Sequence, residues 1–217
     1  MKKIGIITLF DYLNIGNKLQ NYAMQELIRG LGVRPITIVN GDLLFKANFK
    51  TRIKEYIGFY SAMYKRYYLE KKRRKAFYLD TKDIIACTKP IRMQDIGSLD
   101  QDFDAFVVGS DQVWFRWSDV PLEMDFHFLC FTSKNKRICY APSFGRDSIS
   151  SDEIKSYEKW LSGFERLSVR EQSGVSIVYG ITGKEPELLC DPESRSRRKL
   201  GWISRRCREG RDERQGL

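Results

Sequence analysis

A single histidine, His127, and five cysteines with no CxxC spacing leave little from which to build a zinc site. The cysteines (Cys87, Cys130, Cys139, Cys190 and Cys207) are odd in number, which argues for reduced thiols in a cytoplasmic protein rather than a disulfide framework. No stretch approaches the roughly 20 apolar residues of a membrane span. The early run Ile4–Phe10 is too short for a signal sequence and is interrupted at Asp11. Neither GxGxxG nor GxxxxGK[ST] occurs, so no dinucleotide or Walker-type nucleotide site is supported. No internal repeat is visible.

What is present suffices for a packed domain: 217 residues, 42% apolar and 13% aromatic. The net charge of +10 is concentrated in two places. Lys46 to Lys75 nets +9 and Glu193 to Leu217 nets +5, which leaves −4 on the rest. A mildly acidic body with two basic attachments is a weak case for nucleic acid, which requires a basic face on the fold itself.

Residues 3–9 form a continuous apolar run of the kind a strand buried on both faces needs. A turn rich in Asn and Gly follows, then a helical pattern with Leu19, Ala23, Leu27 and Leu31, stopped by Gly30 and Gly32. A second strand is expected at Ile36–Val39, completing a βαβ unit. Residues 43–78 read as helical, basic and aromatic. They suit either an arm lying on a membrane or anionic glycan, or a helix covering the edge of the sheet.

A short helix over 94–99 precedes the strand Ala105–Val108, and an irregular aromatic segment containing His127 follows Trp114. Further strands are expected at 137–141, 167–169 and 188–190. One intervening helix starts behind Ser150 and Glu153 at capping-box spacing, with Ile154, Tyr157, Leu161 and Phe164 on one face. The other stops at Gly180. Strands alternating with helices predict an α/β, Rossmann-like doubly wound parallel sheet over residues 1–192, with ligands at the carboxyl ends of strands. Beyond Pro192 apolar periodicity disappears and eight arginines occur in 25 residues. Residues 193–217 read as an aberrant or disordered basic tail, the alternative being a tail that binds nucleic acid or acidic lipid.

Five polar clusters fall at expected strand ends: Asn14 to Asn17, Gly109 to Gln112, Ser143 to Gly145, Arg170-Glu171, and Asp191. Asn14, Gly16, Asn17 and Gln20 suit sugar hydroxyls at a helix start, or simply cap it. Gly109 admits close backbone approach, Ser110 suits a cap, and Gln112 adds a polar side chain beside them. Trp114 offers a flat face of the kind that stacks on sugar rings. Asp111 suits a general base for a hydroxyl, or an anchor for Ser and backbone groups. Ser143 is a polar group on the same rim. Arg170 and Glu171 read as an anion contact with its partner, or as an ion pair at a helix start. His127 reads as structural.

These runs also carry a resemblance. Asn14-x-Gly16-Asn17-x-x-Gln20-Asn21-Tyr22-Ala23-x-Gln25 is similar to the first motif of the polysaccharide pyruvyl transferase family. So, in family order, are Phe103-Asp104-x-Phe106-Val107-Val108-Gly109-Ser110-Asp111-Gln112-Val113-Trp114, Tyr140-Ala141-x-Ser143-Phe144-Gly145, Ser168-Val169-Arg170-Glu171 with Ser173-Gly174, and Cys190-Asp191-Pro192. The resemblance implies the N-terminal domain of a GT-B-like enzyme of two Rossmann-type domains. It also implies transfer of a pyruvyl group from phosphoenolpyruvate, as donor substrate and with no cofactor, to a sugar of a bacterial polysaccharide or its lipid-linked precursor. The family's second domain, with its Ser-Phe-His-Gly-type motif and donor-holding basic residues, has no counterpart here. The expectation is a half-site with little activity alone, completed by a separate chain, or else a non-enzymatic glycan-binding or regulatory half-domain. The expected location is the cytoplasm, in possible peripheral contact with the membrane.

Overall fold

The computed structural model describes residues 1–9, 14–41, 84–116 and 121–194. The basic aromatic segment 43–78, and the tail beyond Ser194, lie outside the described residues.

Four parallel strands form the main sheet in the order β2-β1-β3-β4: β1 Lys3–Ile7, β2 Arg34–Thr37, β3 Ala105–Val108 and β4 Arg137–Cys139. The registers pair Gly5 with both Ile36 and Phe106, and Val107 with Ile138. The β1–β2 connection contains helix α1, Ile15–Gly30. Alternation along the strands serves both faces. Ile6 and Val107 pack with Met24 and Ile28 of α1, while Ile7, Phe106 and Val108 join the larger core on the opposite face. The chain leaves β1 for β2 on one side and returns for β3 on the other. The switch point therefore lies between β1 and β3, the place where open α/β sheets bind ligands.

Helix α2, Pro121–His127, occupies the segment expected to be irregular. Pro121 at its first position is a helix-start signal that the aromatic residues obscured. Helix α3, Ile154–Leu161, buries Tyr157, Trp160 and Leu161, with Phe164 beyond its end. Ile154 is 40% exposed and leaves the apolar stripe, and Trp160 takes its place. Only half of the capping box forms: the Ser150 backbone N–H bonds the Glu153 carboxylate, but no side chain caps α3. Instead the Ser150 hydroxyl donates to Glu153 Oε2 at 2.6 Å, and Arg146 Nη1 donates to the same oxygen at 2.8 Å. Burial opposes ionisation of Glu153, but hydrogen bonds from Arg146 and Ser150 outweigh it and bring its carboxyl down to about 2.

Strand β5, Ser168–Val169, and strand β6, Glu187–Leu188, make a separate parallel pair. The single sheet expected from the sequence is thus divided. At the division a side chain does the work of a ladder: Ser168 Oγ donates to the Cys139 carbonyl at 2.9 Å and accepts from Ala141 N–H at 3.1 Å. Between β5 and β6 lies α4, Gln172–Thr182, which runs past Gly180 and stops at Gly183, in the left-handed region at φ 68°. Gly183 N–H bonds to the Tyr179 carbonyl at 2.8 Å, a C-terminal cap that Gly180 does not make.

His127 closes α2 as a structural residue, 2% exposed and edge-on to Phe126. Burial, against a small opposing pull from Glu123, lowers its pKa to about 4. An unfolded imidazole titrates near 6.5, so above that pH it is neutral in both states and carries no protonation penalty. Between 6.5 and 4 the unfolded chain takes up the proton first, and stability falls with pH. Chemical denaturation at pH 7 and pH 4.5 should differ by about 2–3 kcal/mol on account of this residue, and His127→Phe should remove that component.

Candidate functional site

Helix α1 starts at the switch point, with Asn14 as its N-cap. The Asn14 Oδ1 accepts from Gly16 N–H at 2.9 Å, so of the two roles open to it capping is the one the geometry displays. Asn14 and Gly16 are exposed and Asn17 is half-buried. One turn further in, Gln20 is only 5% exposed and points across the switch point to the end of β3. Its Nε2 reaches the Ser110 carbonyl, Ser110 Oγ at 2.6 Å and Asp191 Oδ1 at 3.3 Å. Ser110 in turn donates its hydroxyl to Asp191 Oδ1 at 2.8 Å.

From Asp191 the network continues along the rim. Arg170 Nη1 donates to Asp191 Oδ2 at 3.4 Å and Arg170 Nε to Glu171 Oε2 at 3.3 Å. The other Glu171 oxygen accepts from the hydroxyl of Ser143, which itself accepts from Gly145 N–H at 2.9 Å. Residues of four strand ends, Ser110, Asp191, Arg170 with Glu171, and Ser143, are joined in one hydrogen-bonded chain, with Gln20 of α1 at its start. The first cluster joins through Gln20 rather than through its asparagines.

The loop after β3 is held by the backbone. Ser143 N–H donates to the Asp111 carbonyl at 2.8 Å and Trp114 N–H to the Ser143 carbonyl at 3.1 Å. Gly109, at φ 117°, lies against the Tyr140 carbonyl. Asp111 Oδ1 accepts from Gln112 N–H at 2.8 Å, while its Oδ2 is buried with no partner among the described residues. Burial pushes the Asp111 carboxyl up and the charge of Asp191 adds to this, against the Gln112 N–H and the Arg170 guanidinium. Gln112 extends over Gly145, where an added Cβ would come within 2.9 Å of the Gln112 amide carbon.

Trp114 does not line the site. It has no solvent exposure and stacks on Phe128, with centroids 5.1 Å apart and planes at 9°. Phe144 and Phe164 flank it at 5.2 and 5.9 Å. The expected sugar platform is a core residue, because the backbone bond to Ser143 turns this position under the loop. Sequence reasoning also placed Asp191 at a strand end without giving it a role in the site. It missed Glu193 altogether, since the change to Arg-rich text begins at that residue.

The family model for polysaccharide pyruvyl transferase matches residues 14–209. The chain belongs to the polysaccharide pyruvyl transferase family. The matched range takes in every motif on which the resemblance rested and runs on past Pro192. Searches of curated proteins and of solved structures found no significant match.

In this family member the described rim is acidic. Glu171 and Asp191 pair with the guanidinium of Arg170, whose charge also acts on Asp111 and Glu193. Burial, then the charges of Asp191 and Asp111, push the Glu193 carboxyl up as well. Carboxyls that hold a proton more tightly than usual, beside buried hydroxyl and amide groups, can orient sugar hydroxyls and exchange protons with them. Among the described residues no helix is long and apolar enough to cross a membrane.

Proposed function

We propose that this chain provides the acceptor side of a polysaccharide pyruvyl transferase, moving a pyruvyl group from phosphoenolpyruvate to a sugar of a cell-surface polysaccharide or its lipid-linked precursor. The observation that carries this reading is the rim itself: residues of the family motifs form one hydrogen-bonded chain at the switch point, with Asp111 beside it. In the proposed reaction the enol phosphate of the donor is protonated at its methylene carbon and a sugar hydroxyl attacks the resulting cation. A second hydroxyl closes the ketal as phosphate leaves. One hydroxyl proton balances the new methyl group and the other departs with phosphate. Asp111 has the acid–base role toward the attacking hydroxyl, since its raised pKa lets it retain the proton it accepts.

The donor carries a phosphate and a carboxylate, and an acidic rim whose arginine is already engaged by two carboxylates does not suit it. In this reading the donor is held from the opposite side of the cleft, by a second domain of the GT-B-like arrangement. The described unit then works in the cytoplasm, in contact with membrane-borne acceptors. The same charge balance favours a second reading, a glycan-binding or regulatory half-domain without turnover.

Pyruvate incorporation from labelled phosphoenolpyruvate into lipid-linked saccharide, with glycan binding measured in parallel, tests the proposal. The purified chain is expected to bind glycan but to turn over more slowly than about 0.1 per second, a hundredth of an ordinary enzyme rate. Fast incorporation would overturn the half-site assignment. Binding that no donor or added polypeptide converts to turnover would favour the second reading, and absence of both would sink the acceptor-side role.

A further inference from the structure

Resting on that acceptor-side reading, we infer that Asp191 is the positioning residue of the rim, holding the loop after β3 against α1 through Ser110 and engaging the Arg170 guanidinium. Its two oxygens face different tasks. Oδ1 accepts from Ser110 Oγ at 2.8 Å and lies 3.3 Å from Gln20 Nε2, so it fixes the loop that follows β3 against α1. Oδ2 accepts from Arg170 Nη1 at 3.4 Å, so the same guanidinium whose charge acts on Asp111 is paired with Asp191. Ser110 and Asp191 are 81 residues apart in sequence, and Gln20 and Asp191 are 171 apart, so this one carboxylate joins the first and last described parts of the domain.

The groups facing Asp111 come from three elements: Gln112 N–H on its own loop, Arg170 after β5, and Asp191 with Glu193 after β6. Asp191 acts on Asp111 in two ways with the same sign. Its negative charge disfavours a second one nearby, and its hold on Arg170 keeps a positive charge occupied. Removal of the Asp191 charge therefore makes Asp111 more acidic.

Asp191→Asn separates the two tasks. The amide oxygen still accepts from Ser110, but the amide nitrogen cannot accept from Arg170. In the full chain, the Asp111 carboxyl titration followed by ¹³C resonance, and assigned with Asp111→Asn, should move to lower pH in Asp191→Asn. The Gln20 side-chain amide signals should keep their positions in Asp191→Asn and move in Asp191→Ala. Arg170→Gln is the counterpart: it removes the cation and should move Asp111 to higher pH. It reads the same arrangement if Asp191→Asn does not fold. An unchanged midpoint in either folded variant, or a shift in the opposite direction, overturns the inference. The titration contains no donor, acceptor or turnover, so its failure is distinct from failure of the transferase reading.

Discussion

Gly109→Ala should destabilise the protein by about 4 kcal/mol or more, a large share of the stability of an ordinary domain. Two effects add at this residue. Its φ of 117° lies where residues with a Cβ are strained, and an ideal Cβ would stand 2.1 Å from the Tyr140 carbonyl oxygen and 3.0 Å from its carbon. The obstacle is backbone, and it is held: Tyr140 N–H bonds to the Val108 carbonyl at 2.9 Å and Gly109 N–H to the Ile7 carbonyl at 3.1 Å. Relief would require the ends of β3 and β4 to separate, which would also break the bonds that carry Ser110 and Asp111. Gly183→Ala is the control, because it has left-handed φ of 68° but nothing within 4 Å of the new methyl group. That variant should cost about 1 kcal/mol, the conformational penalty alone. Urea unfolding of both variants isolates the clash, and equal losses would show that the close approach to Tyr140 is unimportant.

Much of the frame was legible because a strand buried on two faces leaves an apolar run. Ala105–Val108 is bounded in the structure as it reads in the sequence. The polar strand ends were legible for a related reason: a parallel sheet places every carboxyl end on one rim, so residues far apart in the chain converge there. What local pattern does not carry is how a side chain substitutes for backbone. Ser168 ends the main sheet at β4 by taking both a donor and an acceptor that a ladder would have used, and nothing in Leu167-Ser168-Val169 announces it. The reach of Asp191 to Gln20 and Ser110 is equally invisible, since its partners lie 171 and 81 residues away. Glu193 escaped for the opposite reason, in that a change of composition concealed a residue still belonging to the site.

Trp114→Ala should cost about 3–5 kcal/mol of stability, the range for emptying a buried aromatic site. As a sugar platform the residue would behave otherwise, its removal weakening glycan binding and leaving the melting point nearly unchanged. The surroundings decide between these outcomes. Phe128 is stacked on the indole, Phe144 and Phe164 are tilted against it, and the Tyr157 hydroxyl donates to the Trp114 carbonyl at 2.8 Å. The aromatic neighbours of an alanine could not close the resulting space without breaking their own stacking, as Phe128 is also stacked on Trp160 at 5.0 Å. Trp114→Phe sharpens the test. The indole Nε1–H is buried with no partner among the described residues, so phenylalanine removes an uncompensated donor as well as apolar area. The two terms oppose each other, and Trp114→Phe should lose no more than about 2 kcal/mol. A phenylalanine variant as unstable as the alanine one would mean that indole shape, rather than filled volume, holds the Gly-Ser-Asp-Gln loop over the core.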